Sequence, residues 1–153
     1  MGRPAGLAWT VCDVPAVVEA GRRIAGERGA DAQLRFTSDY GALSGQQVLY
    51  ASGALQYLPM TLPEWIRGLI EPPPHVVLNT TPLHAQRGFF TLNSIGAGFC
   101  PYRVIHDATL VRELDTLGYK VVDRWSNPGK RLEIPFETGY DVPEYRGMYL
   151  RRI

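Results

Sequence analysis

The stretch that decides the fold is residues 47–58, QVLYASGALQYL. Its first half is a short apolar run bounded by turn residues, which reads as a buried strand. The strand stops at Ser52-Gly53, and a tight turn or short helix follows as far as Leu58-Pro59. In an open α/β sheet, the crevice beyond the carboxyl ends of the strands is where a ligand sits. Ser52 and Gly53 therefore mark the mouth of a site, and side chains this small let a ligand approach the backbone closely.

Upstream, residues 7–12 (LAWTVC) are another short apolar run with β-branched residues, and read as a buried strand. Pro15 suits the first turn of a helix. Val17, Val18, Gly21, Ile24 and Ala25 then recur at helical spacing, with Gly29 as the stop. Residues 33–37 (QLRFT) alternate as a strand, and 38–41 (SDYG) form a turn by composition.

Downstream, Leu62, Trp65, Ile66, Leu69 and Ile70 make one stripe of a helix over 62–70, which three consecutive prolines end at Pro72. Residues 75–79 (HVVLN) read as a buried strand. Residues 83–105 carry Gly88, Gly96, Gly98 and several aromatics without a helical pattern. A loop this long is functional or contains short strands of its own. Asp107 is an N-cap, and Leu110, Val111, Leu114 and Leu117 form the apolar face of the helix it starts, which Gly118 ends. Residues 119–125 and 145–153 are strands, and 132–136 are a strand or an extended arm. Alternating strands and helices imply one α/β domain over 1–153 with a mostly parallel sheet. The last two strands are joined without a helix and are expected to be antiparallel.

Composition narrows the function. The 153 residues are 45% apolar and 20% charged, with a formal net charge of +1. That balance argues against a nucleic-acid binder held by a broad basic surface. No stretch approaches the ~20 apolar residues of a membrane span. There is no apolar core of a signal peptide after the first residues. Cys12 and Cys100 lie far apart and lack metal-ligand spacing, so free thiols and a cytoplasmic setting are expected. The sequence has no Walker, zinc-protease, nucleophile-elbow or C-x-x-C motif. Gly96-Ala97-Gly98 reads as a flexible loop or hairpin tip rather than a dinucleotide fingerprint.

Five blocks in order carry a resemblance: 7–21 (LAWTVCDVPAVVEAG), 34–39 (LRFTSD), 47–58 (QVLYASGALQYL), 75–83 (HVVLNTTPL) and 89–125 (FFTLNSIGAGFCPYRVIHDATLVRELDTLGYKVVDRW). The chain resembles the later three-quarters of a bacterial S-adenosylmethionine-dependent methyltransferase family, whose members are often associated with surface-polysaccharide genes. The resemblance implies a Rossmann-like class I methyltransferase sheet, mostly parallel with an antiparallel C-terminal strand, and S-adenosyl-L-methionine as cofactor. It implies a small-molecule or glycan acceptor carrying a hydroxyl. A complete member opens with a strand and a glycine-rich turn. Residues 1–6, with Gly2 and Gly6, do not supply that turn, so the sheet is expected to be truncated at its N-terminal side. The competing expectation is a methyltransferase-like protein that does not bind cofactor on its own.

Within that resemblance, Asp13 follows the first recognisable strand, where a carboxylate accepts both hydroxyls of a ribose. Its alternative is to cap the following helix. Ser38 and Asp39 follow the next strand and would meet an adenine, or form only a solvated turn. Ser52 and Gly53 would line the pocket and Tyr57 would cover a purine, or all three belong to a tight turn packed on the core. Asn79, Thr80 and Thr81 would face an acceptor or satisfy loop backbone. His84, Tyr102 and His106 flank the long loop as candidates for a general base, though scattered histidines are more often structural. A sheet lacking a central strand exposes an edge, so a homo-oligomer is expected.

Overall fold

The computed structural model describes residues 6–153. It divides into two compact units, the first ending at Ser44 and the second spanning Gly45–Ile153. Gly2, read above against the glycine-rich turn, lies outside the described residues.

The first unit is a β-α-β crossover. Strands β1 (Trp9–Cys12) and β2 (Leu34–Thr37) pair in parallel, from Trp9 opposite Leu34 to Cys12 opposite Thr37. Helix α1 (Pro15–Glu27) joins them, with proline at its first position as its fixed φ favours. Gly21 is where helix and strand meet. A Cβ there would stand 2.3 Å from the ring of Phe36, so only glycine lets α1 lie on that ring. A 3-10 turn, Tyr40–Leu43, follows β2.

The second unit is built on a four-stranded sheet in the order β3-β4-β9-β8. Its strands are β3 (Val48–Ser52), β4 (His75–Thr81), β8 (Tyr119–Asn127) and β9 (Tyr145–Arg152). Only β3 and β4 are parallel; β9 runs antiparallel to both β4 and β8. The sheet is therefore mixed, where a mostly parallel one was expected. The reason is connectivity: no crossover helix joins β8 to β9, so β9 turns back and inserts beside β4. The antiparallel pairing of the last two strands is as expected.

Helices α2 (Leu62–Gly68) and α3 (Asp107–Thr116) supply the core of one face. Leu62 and Ile66 on α2 and Leu110 and Leu114 on α3 pack in one cluster with Leu49, Ala51, Val76, Leu78, Met148 and Leu150 of the sheet. Each of these side chains other than Ala51 contributes about 1.5–3 kcal/mol by leaving water. Helix α2 begins with a reciprocal cap: Glu64 N donates to Thr61 Oγ1, and Thr61 N donates to Glu64 Oε2 at 2.7 Å.

Two readings change in detail. Strand β3 is not buried on both faces. Leu49 and Ala51 point into the core while Val48 and Tyr50 are 50% and 48% exposed. It is an edge strand, and its continuous apolar run hides a period of two. Asp107 is the first residue of α3 rather than its cap. His106 holds the cap position without a side-chain bond to the helix backbone, and Asp107 Oδ2 accepts from Arg124 Nη1 at 2.7 Å.

The long segment after β4 is made of strands. Short β5 (Leu83–His84) pairs in parallel with β7 (Phe99–His106), and β6 (Phe89–Ser94) forms an antiparallel hairpin with β7. Its tip is the glycine turn: Ile95 N donates to Gly98 O at 2.9 Å, and Gly96 has φ +86°. Residues 132–136 make a single bridge, Leu132 with Val142. Among the described residues no helix is long and apolar enough to cross a membrane.

Where β8 and β9 pair, Trp125 lies opposite Gly147. A Cβ on Gly147 would fall 2.0 Å from the indole. Gly147→Ala is expected to push the indole off the sheet and lower stability by about 1–3 kcal/mol. Urea unfolding followed by tryptophan fluorescence checks this, and an unchanged midpoint would contradict it.

Candidate functional site

The carboxyl ends of β3 and β4 lie side by side, with Ser52 paired to Asn79. A row of polar side chains crosses the sheet there. Asn79 Nδ2 donates to Ser52 Oγ at 3.4 Å, and Trp125 Nε1 donates to Asn79 Oδ1 at 2.9 Å. The indole N–H can only donate, so it fixes which end of the Asn79 amide faces Ser52. The Asn79 carbonyl accepts from Gly53 N at 3.0 Å and from Thr81 Oγ1 at 3.3 Å.

Backbone geometry opens this edge. Gly53 has φ +62°, and only Gln56 Nε2, at 3.8 Å, stands near the place a Cβ would take. Thr80, a β-branched residue, is held at φ +50° where the β4–β9 register shifts. A left-handed conformation costs such a residue about 1–2 kcal/mol. The bulge lets the strand continue to Thr81 while Asn79 stays turned toward Ser52.

Beyond Gly53 a second 3-10 turn, Leu55–Tyr57, carries Gln56 and Tyr57. Gln56 is 5% exposed, and its Oε1 has no hydrogen-bond partner among the described residues. A buried acceptor left unpaired costs about 1–3 kcal/mol. Tyr57 is half-exposed. Its hydroxyl accepts from Asn93 Nδ2 at 3.0 Å, and its ring meets Tyr102 edge-on at 5.2 Å. Tyr102 is buried and shares a 2.8 Å hydroxyl–hydroxyl bond with Tyr145.

The expected site residues divide between the two units. Ser52, Gly53 and Tyr57 stand along the edge just described. Asp13, Ser38 and Asp39 belong to the first unit. There Asp13 is exposed; its Oδ1 accepts from Val14 N at 2.7 Å, and Val14, not Asp13, holds the cap position of α1. Asp39 caps the 3-10 turn through Oδ1, which accepts from Gly41 N at 2.8 Å. Ser38 is exposed beside it.

The three proton-transfer candidates differ. His84 is engaged at both nitrogens. Its Nδ1 accepts from Gln86 N and Arg87 N, which puts the ring proton on Nε2, 3.2 Å from Gly139 O. His106 ends β7, with Nδ1 2.8 Å from Thr109 Oγ1. Tyr102 lies in the aromatic cluster. Gln56, Trp125 and Tyr145 were not singled out from the sequence. A glutamine inside the apolar run ALQYL was the available signal for the first. The other two reach the site from strands 46 and 43 residues away from their partners. Among the described residues no group of three or more His, Cys, Asp or Glu converges as a metal site requires.

No family model matches the chain, and no curated protein matches it in sequence. Solved structures match it in fold. One is Burkholderia thailandensis 1,6-didemethyltoxoflavin-N1-methyltransferase with bound 1,6-didemethyltoxoflavin and S-adenosylhomocysteine. It is 19% identical over 94% of this chain and 60% of its own, with a TM-score of 0.54. An S-adenosylmethionine dependent methyltransferase from Mesorhizobium loti is 16% identical over 95% and 80%, at 0.59. The cyclase SpnF is 14% identical over 95% and 67%, at 0.65. At these identities the likeness establishes the fold, a class I methyltransferase-like α/β arrangement. The chain spans 60% of the length of the Burkholderia enzyme.

Burial, and then the bond to Tyr145, push the Tyr102 hydroxyl well above its ordinary value near 10. The folded state thus holds this proton after the unfolded chain releases it. Stability from this group is complete below pH ~10 and falls as pH rises beyond it. Tyr102→Phe is expected to flatten the loss of stability between pH 9.5 and 11, roughly the range around that ordinary value. Equal slopes for both proteins in urea unfolding would contradict the assignment.

Proposed function

We propose that the chain is part or all of an S-adenosyl-L-methionine-dependent methyltransferase acting on a small-molecule or glycan acceptor. The observation that carries the reading is the open carboxyl edge of β3 and β4. It couples a backbone turn at Gly53, held at positive φ, with the exposed ring of Tyr57. That ring suits a flat base such as a nucleobase beside the turn. The likeness to methyltransferase structures supports the same reading. Within the first unit, Asp13 would accept ribose hydroxyls, and Ser38 and Asp39 would border a base.

Bound S-adenosyl-L-methionine supplies a methyl group activated by sulfonium charge. The protein's share is to hold donor and acceptor aligned and to exclude water. A hydroxyl acceptor also needs a base. His84 is committed to main-chain bonds and Tyr102 to a buried pair, which leaves His106 as the candidate. The β6–β7 hairpin, with Phe90 and Leu92 exposed, would form the acceptor-side wall.

A second reading is a methyltransferase-like protein that does not hold the cofactor on its own. The fold also serves a protein named for a different reaction, the cyclase SpnF, and fold alone does not fix chemistry.

Titration calorimetry with S-adenosylhomocysteine separates the two. The first reading expects micromolar binding, weakened about tenfold or more by Gly53→Val, which is strained at a positive φ. No heat at millimolar ligand supports the second. Assembly is tested separately. Val48 and Tyr50 stand half-exposed on strand β3, the terminal strand in the order β3-β4-β9-β8, and would give an assembly apolar surface to cover. We expect a cytoplasmic homo-oligomer, and a strict monomer by light scattering at ~100 µM would count against the assembly.

A further inference from the structure

A cavity of about 350 Å³ opens between α2, α3 and strand β7, apart from the Ser52–Asn79 edge. Its volume falls in the range of small-molecule sites. The floor is apolar: Leu55, Leu62 and Leu110 are each at most 3% exposed. Its charges are two. Arg103 lines it from β7 and Glu113 from α3.

Arg103 is a cation held ready. Its guanidinium donates to Met60 O at 2.7 Å and Pro59 O at 3.4 Å, both neutral carbonyls. It lies 5.1 Å from the centre of the Phe90 ring, a flat surface at the mouth. No ion pair within 4 Å involves it among the described residues, though its charge is, after the hydrogen bonds from Thr61, one of the causes that hold the Glu64 carboxyl low. Five donors on a guanidinium exceed the two carbonyls that it meets, so donors remain for a ligand. A planar guanidinium pairs best with a carboxylate, through two parallel bonds. Glu113 stands seven residues beyond the helix cap at His106, about 10 Å along the axis at 1.5 Å per residue. An anion beside Glu113 would be repelled, whereas a hydroxyl there can donate to it.

We propose that this cavity binds a hydroxy-substituted aromatic monocarboxylic acid. The carboxylate meets Arg103, the ring lies on the leucine floor against Phe90, and the distal hydroxyl donates to Glu113. Phe90 and His106 also belong to the acceptor side proposed above, and the assignment is one of binding, tested without cofactor so that its failure is separable from that of methyl transfer.

The test uses the full chain and three probes in calorimetry: 6-hydroxy-2-naphthoate, 2-naphthoate and 2-naphthol. The first is expected to bind at sub-millimolar concentration, about tenfold tighter than 2-naphthol. Arg103→Gln should erase the preference for a carboxylate, and Glu113→Gln the preference of 6-hydroxy-2-naphthoate over 2-naphthoate. Thr109→Trp, placed on the half-exposed lining from α3, should block all three. Equal affinity of the wild-type chain for 6-hydroxy-2-naphthoate and 2-naphthol overturns the proposal, whatever the variants do. So does the absence of saturable binding at millimolar probe, or undiminished binding by a folded Thr109→Trp chain.

Discussion

The indole of Trp125 lies on the bare backbone of Gly147 and gives its N–H to Asn79. Three strands are committed by that one side chain. It sets the register of β8 against β9, because no other residue than glycine accommodates the ring at that pairing. It also orients the Asn79 amide, and through it the contact with Ser52 on β3. The open edge is thus fixed by a residue on the far strand of the same sheet.

The energetics of the edge follow from this frame. The core beneath it is fully buried: Val76, Leu78, Met148 and Leu150 are each 0% exposed. Against that stability the edge carries two local costs, the left-handed Thr80 and the unpaired Gln56 acceptor. Each is of order 1–3 kcal/mol. Costs of this kind persist where the surrounding packing over-determines them, and they cluster at ligand sites.

Much of this was legible in the chain. Helices α1 and α3 and the strands at 75 and 119 follow from apolar spacing and from Pro and Gly punctuation, which act locally. Ser52 and Gly53 were legible as the end of a strand because a small pair breaks a short apolar run there. For residues 83–105, short strands and a hairpin tip at Gly96–Gly98 stayed open as alternatives without strand bounds, since Phe90 and Leu92 put apolar residues on an exposed face and blur the alternation. The exposed half of β3 was hidden for the opposite reason, a run apolar at every position whose outer residues happen to lie open. Asp107 looked like a cap. The chain enters α3 one residue earlier, and that carboxylate is used by Arg124 instead. Trp125 and Tyr145 were out of reach, because their partners are set by sheet topology rather than by neighbouring sequence.

The central claim is that the carboxyl edge of β3 and β4 is a ligand edge of methyltransferase type. Amide chemical shifts of the labelled chain, followed while S-adenosylhomocysteine is added, test it most directly. The account predicts saturable shifts at Ser52, Gly53, Gln56 and Asn79, with the core residues of α3 unmoved. Saturable shifts confined to other parts of the chain, or no shifts at millimolar ligand, would contradict it.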